Sequence, residues 1–404
     1  MVSKTAKEKP KMKGFKFAGV CAGIKKNRSL DLGLIYSEKP ARAAALFTRN
    51  QVVAAPVVLG RKTMEKGMLQ AILVNSGNAN CFTGEQGIAH AEQCVEFVAK
   101  ALRIDPGHVL VSSTGVIGAP LPVDKIEAKI PEILKSLDNC TIVDFASAIL
   151  TTDTCTKMVS RTGKINTPDG EKNFTIMGVA KGSGMIRPDM ATMLSYILTD
   201  ADISSSLLKQ ALTHAASRSF NRITVDGDTS TNDTLVCMAN GEGEAVIDSD
   251  DACASFQALL DEVCYELAKK IVKDGEGATK VAFITVKGAL TQQDAFAAAE
   301  AIAHSPLTKT AIYGQDPNWG RITAAAGRSG ATVDQDKMDL YFGDILLVRN
   351  GQWQGTAAEK EAAQIMKQDE ISIVLDLNLG EGRDRFLFCD FSENYVKINA
   401  DYRS

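Results

Sequence analysis

A chain of 404 residues is long enough for two domains, or for one large α/β domain with elaborations. Forty-five Lys and Arg against 49 Asp and Glu leave a net charge of −4, without the basic balance that a nucleic-acid partner requires. No run of 18 apolar residues occurs, so neither a membrane span nor a membrane partner is expected.

The first residues, Lys4 to Lys16, read as a basic solvated arm. The apolar stretch Phe17 to Ile24 that follows is too short, and too interrupted by Gly19 and Gly23, for a secretory signal. Ala71 to Val74 reads as a short strand ending in a polar turn, Asn75 to Asn80. A helical pattern runs from Gln86 to Leu102. His108 to Ser112 reads as a second strand, ended by a turn over Ser112 to Gly118. Val123 to Leu137 reads as a helix broken or kinked at Pro131. Met193 to Thr199 is a strand. Ser204 caps a helix to Ala216, because a serine oxygen accepts from the free amides of a first turn. A third polar turn covers Asp226 to Asp233. Asp251 to Lys273 is the longest amphipathic segment, Val281 to Val286 alternates like a half-buried strand, Asp294 to His304 is an alanine-rich helix, and Ile371 to Leu379 returns to strand. Alternating strands and helices predict an α/β fold. Nine scattered cysteines without a Cys-x-x-Cys pair suggest reduced thiols and a cytoplasmic protein. Four dispersed histidines, read as surface or cap residues, suggest no metal.

The chemistry concentrates between Lys181 and Leu194. Gly182, Gly184 and Pro188 make a turn that reads as strained, and Thr192 opens the apolar run behind it. If the chain broke between Ala191 and Thr192, the threonine would gain an α-amine beside its hydroxyl. That amine, with an ordinary pKa of about 8, accepts the hydroxyl proton and activates the nucleophile. Attack of the threonine hydroxyl on the preceding carbonyl is a route to the break, and backbone strain favours it. The break divides the chain into an N-terminal fragment, 1–191, and a C-terminal fragment, 192–404. Both hold several strands, so both are expected to share a core and stay together.

Acyl transfer also needs donors aimed at a developing oxyanion, and the hydroxyl of Thr114 with the amide of Gly115 fits that need. Lys273 to Lys280 follows the long helix. Gly275 or Gly277 is expected to end it, and Glu276 reads either as a poorly shielded carboxylate able to orient an ammonium or as a solvated loop residue. Trp319, within Gly314 to Ile322, reads as a packed anchor beside an Asx-type turn, with a wall of a substrate cleft as the second reading. Lys181-Gly182-Ser183-Gly184 lacks the full pattern of either glycine-rich phosphate loop, so a nucleotide site is not expected.

These segments together resemble the ornithine acetyltransferase, or glutamate N-acetyltransferase, family of arginine biosynthesis. The likeness is carried by Leu73 to Asn80, Ser113 to Gly118, Thr151 to Thr154, Lys181 to Leu194 and Asp316 to Arg321, and runs from about Gly14 to the C-terminus. The resemblance implies sheets layered between helices, similar to N-terminal-nucleophile hydrolases but with the family's own topology. It implies cleavage at Ala191/Thr192, Thr192 as the acetyl carrier, and Thr114 and Gly115 as the oxyanion hole. It further implies substrate contacts from Thr154, Lys181, Thr192, Glu276, Asn399 and Ser404. The reaction implied is ping-pong transfer of acetyl from N2-acetylornithine to glutamate, without a cofactor, by two copies of each fragment. Acetyl-CoA as a second donor stays open. Asp189 stands where the family often has asparagine, and Ser404 where it often has threonine. An amidase passing the acyl group to water, and a non-catalytic nucleotide-binding protein, are the rival readings.

Overall fold

The computed structural model describes residues 12–167, 170–187 and 193–400. Asp189, Ala191, Thr192 and Ser404, singled out above, lie outside the described residues. The chain forms two compact units. The first holds Met1–Gly182, Asp189–Asn221 and Thr229–Leu267; the second holds Ser183–Pro188, Arg222–Asp228 and Ala268–Ser404.

In the first unit, β1 (Phe15–Val20) pairs with the long β2 (Leu32–Phe47), α1 (Ala55–Thr63) leads to β3 (Met68–Asn78), and α2 (Gly84–Leu102) connects it to the parallel β4 (Val109–Val116). Two helices, α3 (Val123–Ser136) and α4 (Ile142–Ala148), precede the hairpin of β5 (Lys157–Thr167) and β6 (Gly170–Lys181). β7 (Leu194–Thr199), β8 (Asp202–Ile203) and α5 (Ser205–Arg218) follow. After β9 (Ile223–Thr224), which belongs to the second unit, come β10 (Thr234–Ala239), β11 (Val246–Ile247) and the start of α6 (Asp250–Lys273). The main sheet runs β4-β3-β2-β10-β7-β6-β5, with β1 also on β2.

The alternation of strand side chains decides what covers this sheet. On β3, Ile72 and Val74 pack in one cluster with Ile142 and Phe145 of α4. Ala71 and Leu73 pack in the other with Val95 and Val98 of α2 and Ile126 of α3. Both faces are dry, which is why this strand reads as an unbroken apolar run rather than an alternating one. On α6, Phe256, Leu260, Val263, Cys264 and Leu267 are buried at helical spacing. Gly178 admits Leu267, because a Cβ there would come within 2.6 Å of its Cδ1.

Two sequence expectations need correction. Asn75–Asn78 and Ser112–Val116 are not turns but the paired ends of β3 and β4, with Gly77 opposite Gly115. The polar side chains that suggested turns are satisfied inside the sheet. Ser113 Oγ donates to Asn75 Oδ1 at 2.6 Å, and Asn75 Nδ2 donates to the Asn78 carbonyl at 2.8 Å. The second correction concerns the break allowed for at Pro131, across which α3 is continuous. Pro131 and Glu127 are both exposed, on the face of the helix where a carbonyl left without a donor by the proline costs least. The serine cap is observed, with Ser204 Oγ accepting from Leu207 N at 3.3 Å.

The second unit continues with β12 (Val281–Ala289), α7 (Gln292–Ala303), α8 (Pro306–Tyr313), α9 (Trp319–Gly327), β13 (Asp339–Phe342), β14 (Ile345–Arg349), β15 (Gln352–Trp353), α10 (Thr356–Ile365), β16 (Glu370–Asp376), β17 (Gly382–Cys389) and α11 (Glu393–Ala400). Its sheet order is β15-β14-β13-β16-β12-β17-β9. The alanines of α7, with Ile302, let this helix lie close on Ile284, Val286 and Phe386. Trp319 packs against the same core while Asn318 Oδ1 caps α9 by accepting from Arg321 N at 3.1 Å, so the packed-anchor reading matches. The α/β class expected from the sequence is the class observed.

Candidate active site

Lys181 is the last residue of β6, a polar residue at the end of a strand whose last eight residues are nearly all buried, and it is itself 8% exposed. Its Nζ donates to Thr151 Oγ1 at 2.8 Å and to Thr114 Oγ1 at 3.3 Å. Residues 30 and 67 positions apart in sequence thus meet on one ammonium. Asp153 stands behind them with its side chain fully buried, 3.9 Å from Lys181 Nζ and 2.6 Å from Lys157 Nζ. It also accepts from the Gly182 amide at 2.6 Å and the Thr151 amide at 3.1 Å. Burial alone would push this carboxyl up, but the two ammonium groups and the amides hold it down at about 2.

Lys157 is as buried as its partner. Asp153→Ala removes the carboxylate that faces this buried ammonium at 2.6 Å, and a loss of about 3–5 kcal/mol of stability is expected in urea unfolding. A loss below about 1 kcal/mol would show that the pair is not structurally required.

Thr114 and Gly115 close β4. Gly115 has φ +133°, and a Cβ there would lie 2.4 Å from the carbonyl carbon of Gly77 and 2.5 Å from Asn78 N. Only glycine permits this approach of two backbones. Asn232 ties the pair together from a third segment, its Nδ2 donating to the carbonyls of Ser113 at 2.8 Å and Ala79 at 2.6 Å. The result is a rigid backbone edge carrying one hydroxyl beside one amide.

β7 begins at Leu194, the register partner of Lys181. The carbonyl of Met193 accepts from Thr234 N at 2.9 Å, and its amide donates to the carboxyl of Asp233. Asp233 is buried, and burial pushes its carboxyl well above the ordinary range. The residue following Thr192 in sequence is therefore held through both of its peptide groups. Asp153 and Asp233 were not singled out from the sequence, although each lies inside a segment that was, Thr151–Thr154 and Asp226–Asp233.

In the second unit, Met185 takes φ +56°, a conformation that a long side chain rarely adopts, and the turn is strained as expected. Asp226 holds it in place, its carboxylate accepting from Met185 N at 2.6 Å and Ile186 N at 2.8 Å. The Ile186 carbonyl accepts from Val225 N at 2.8 Å, and Arg187 donates to Glu300 at 2.9 Å. Glu276 is not the exposed loop carboxylate that its flanking glycines suggested. It is 7% exposed, its amide donates to the Ser183 carbonyl at 2.8 Å, and its Oε2 accepts from Asn399 Nδ2 at 2.9 Å. Gly184 makes room for it, because a Cβ there would come within 2.4 Å of the Glu276 carboxyl carbon. Gly277, at φ +70°, takes the left-handed conformation in the turn that follows α6.

Of the residues expected to act, Thr114, Gly115 and Lys181 are brought together in the first unit, and Glu276 and Asn399 in the second. Thr154 is exposed, in the loop before β5. Ala191, Thr192 and Ser404 lie outside the described residues. Among the described residues no group of three or more His, Cys, Asp or Glu is placed to hold a metal, and no helix is long and apolar enough to cross a membrane.

The family model described as ArgJ family matches residues 16–404. The chain belongs to the ArgJ family. Among curated relatives, "Arginine biosynthesis bifunctional protein ArgJ" of Geobacter sulfurreducens is 48% identical, covering 97% of this chain and all of the relative. The ArgJ protein of Syntrophotalea carbinolica is 47% identical over 98% of this chain and all of its own length. A solved structure of the Bacillus halodurans bifunctional ArgJ protein is 43% identical, covers 51% of this chain and 97% of its own, and has a TM-score of 0.49.

Proposed function

We propose that this ArgJ-family chain transfers an acetyl group from N2-acetylornithine to glutamate in arginine biosynthesis, through an acetyl ester on Thr192. The observation that carries the reading is the meeting of Lys181 Nζ with Thr114 Oγ1, at the strand end where Leu194 opens β7. Thr192 lies two positions before that strand. Membership of the family over nearly the whole chain supports the same reaction.

In this reading the chain first cleaves between Ala191 and Thr192, and the strain at Met185 supports a turn stressed before the bond. The new α-amine takes the hydroxyl proton as oxygen attacks the acetyl carbonyl. Negative charge then develops on the carbonyl oxygen, and the Thr114 hydroxyl and Gly115 amide stabilise it. The amine returns its proton to the departing ornithine nitrogen, leaving acetyl-Thr192. Glutamate enters, its amine attacks the ester, and N-acetylglutamate leaves. Lys181 binds a substrate carboxylate, while Glu276, held by Asn399, binds an ammonium. Thr154 and Ser404 complete the substrate contacts. The relatives are described as bifunctional, which fits acetyl-CoA as a second donor. The working assembly has two copies of each fragment and is cytoplasmic.

Intact-mass spectrometry before and after N2-acetylornithine tests the reading. Two fragments are expected, and the one beginning at Thr192 should gain a single acetyl group that glutamate removes. A single intact chain, or fragments that release free acetate and form no acetylglutamate, would overturn it in favour of a non-catalytic protein or an amidase.

A further inference from the structure

A second lysine, Lys25, lays its stem against the strand end that faces Gly115, on a loop to which no role has been given. Asp31, fully buried, organises this loop by accepting from the amides of Ala22, Ile24 and Lys25 at 2.5, 2.6 and 2.9 Å. A carboxylate satisfied by three amides fixes the backbone at Lys25. The Lys25 stem then lies on Gly77, where a Cβ would meet its Cγ at 3.0 Å. Gly77 is in turn the residue against which Gly115 closes. Lys25 Nζ donates to the Leu30 carbonyl at 2.9 Å, which occupies one of its three donors. It is half-buried, and burial lowers its pKa; Asp31 opposes that effect, and the charge of Lys181 adds to it. The Lys25 stem thus packs on the strand end paired with the Thr114–Gly115 edge that Lys181 reaches, and the charge of Lys181 acts on its ammonium.

Two lysines whose segments meet through Gly77 and Gly115, and whose charges act on each other, suit a ligand with two negative groups. The two amino acids of the proposed reaction differ in this respect. Glutamate has a side-chain carboxylate where ornithine has an ammonium. We propose that Lys25 is a specificity-determining residue, its ammonium binding the side-chain carboxylate of the acceptor glutamate while Lys181 takes the other carboxylate. This assignment rests on the acetyl-transfer reading above.

The test separates the two half-reactions. In Lys25→Gln, the KM for glutamate is expected to rise about 10-fold or more, the size of one lost charge-assisted hydrogen bond. Formation of acetyl-Thr192 from N2-acetylornithine, followed by mass spectrometry, should change by far less. Glutamine supplies a readout that a merely structural role would not move: its disadvantage against glutamate as acceptor should shrink in Lys25→Gln and return in Lys25→Arg. Equal losses in both half-reactions, an unchanged glutamate KM, or unchanged discrimination against glutamine would overturn the assignment. If the unaltered protein formed no acetyl adduct, the underlying reading would fall and this assignment with it. Failure of Lys25 alone would show only in the variants.

Discussion

Thr192→Ala is expected to run as one uncut chain on a denaturing gel and to transfer no acetyl group. The substitution removes the oxygen that attacks the preceding carbonyl, so no terminal amine is released. It also removes the oxygen that would carry the acetyl group, so both losses follow from one atom. Thr192→Ser keeps that oxygen and should retain partial cleavage and turnover. Removal of a triad member in other acyl-transfer enzymes leaves a residual rate about 10³–10⁴-fold over water. Activity of Thr192→Ala above that residual level would reject the nucleophile, whereas a folded but inert Thr192→Ser would reject a simple hydroxyl mechanism. Melting curves of both variants keep folding defects apart from chemical ones.

Gly115→Ala should lose both catalysis and stability, and for one geometric reason. The added methyl would sit 2.4–2.5 Å from the Gly77–Asn78 peptide, and φ +133° is itself unfavourable for alanine. Relief requires β3 and β4 to part at the end where Thr114 and the Gly115 amide are placed. Displacement of one oxyanion donor typically costs about 10²–10³ in kcat. Backbone strain of this kind adds about 1–3 kcal/mol of destabilisation. Thr114→Ala is the control, because it removes a donor without moving the backbone. It should lower kcat by a similar factor with little change in melting temperature. Wild-type kcat in Gly115→Ala would remove this edge from the mechanism.

Much of this arrangement could be read from the chain, and the reasons for the remainder are physical. α2, α5, α6 and α7 carry apolar faces at helical spacing, and periodicity locates them within a few residues. Thr114, Gly115 and Lys181 were expected from the motifs around them, and the structure brings Lys181 onto Thr114. The ends of β3 and β4 were not, because Asn75, Asn78 and Ser113 have turn-forming chemistry until a partner strand is present to satisfy them. Glu276 reads as solvated between two glycines, and only the placement of Ser183, Gly184 and Asn399 around it makes burial affordable. Asp153 was hidden for a similar reason. Its meaning comes from Lys157 and Lys181, one a near neighbour and the other 28 positions away on the next strand of the hairpin.

The strand order of the first unit has a consequence for timing. β7 and β10, from beyond residue 192, lie side by side with β6 on one flank and β2 on the other, both from before residue 191. Scission at Ala191/Thr192 would therefore release no module. The halves would stay interleaved like fingers of two hands, and a reactive terminus would arise only in finished architecture. Catalytic competence would then certify that assembly had already succeeded, since a chain that never zipped this sheet together would have no means of arming itself.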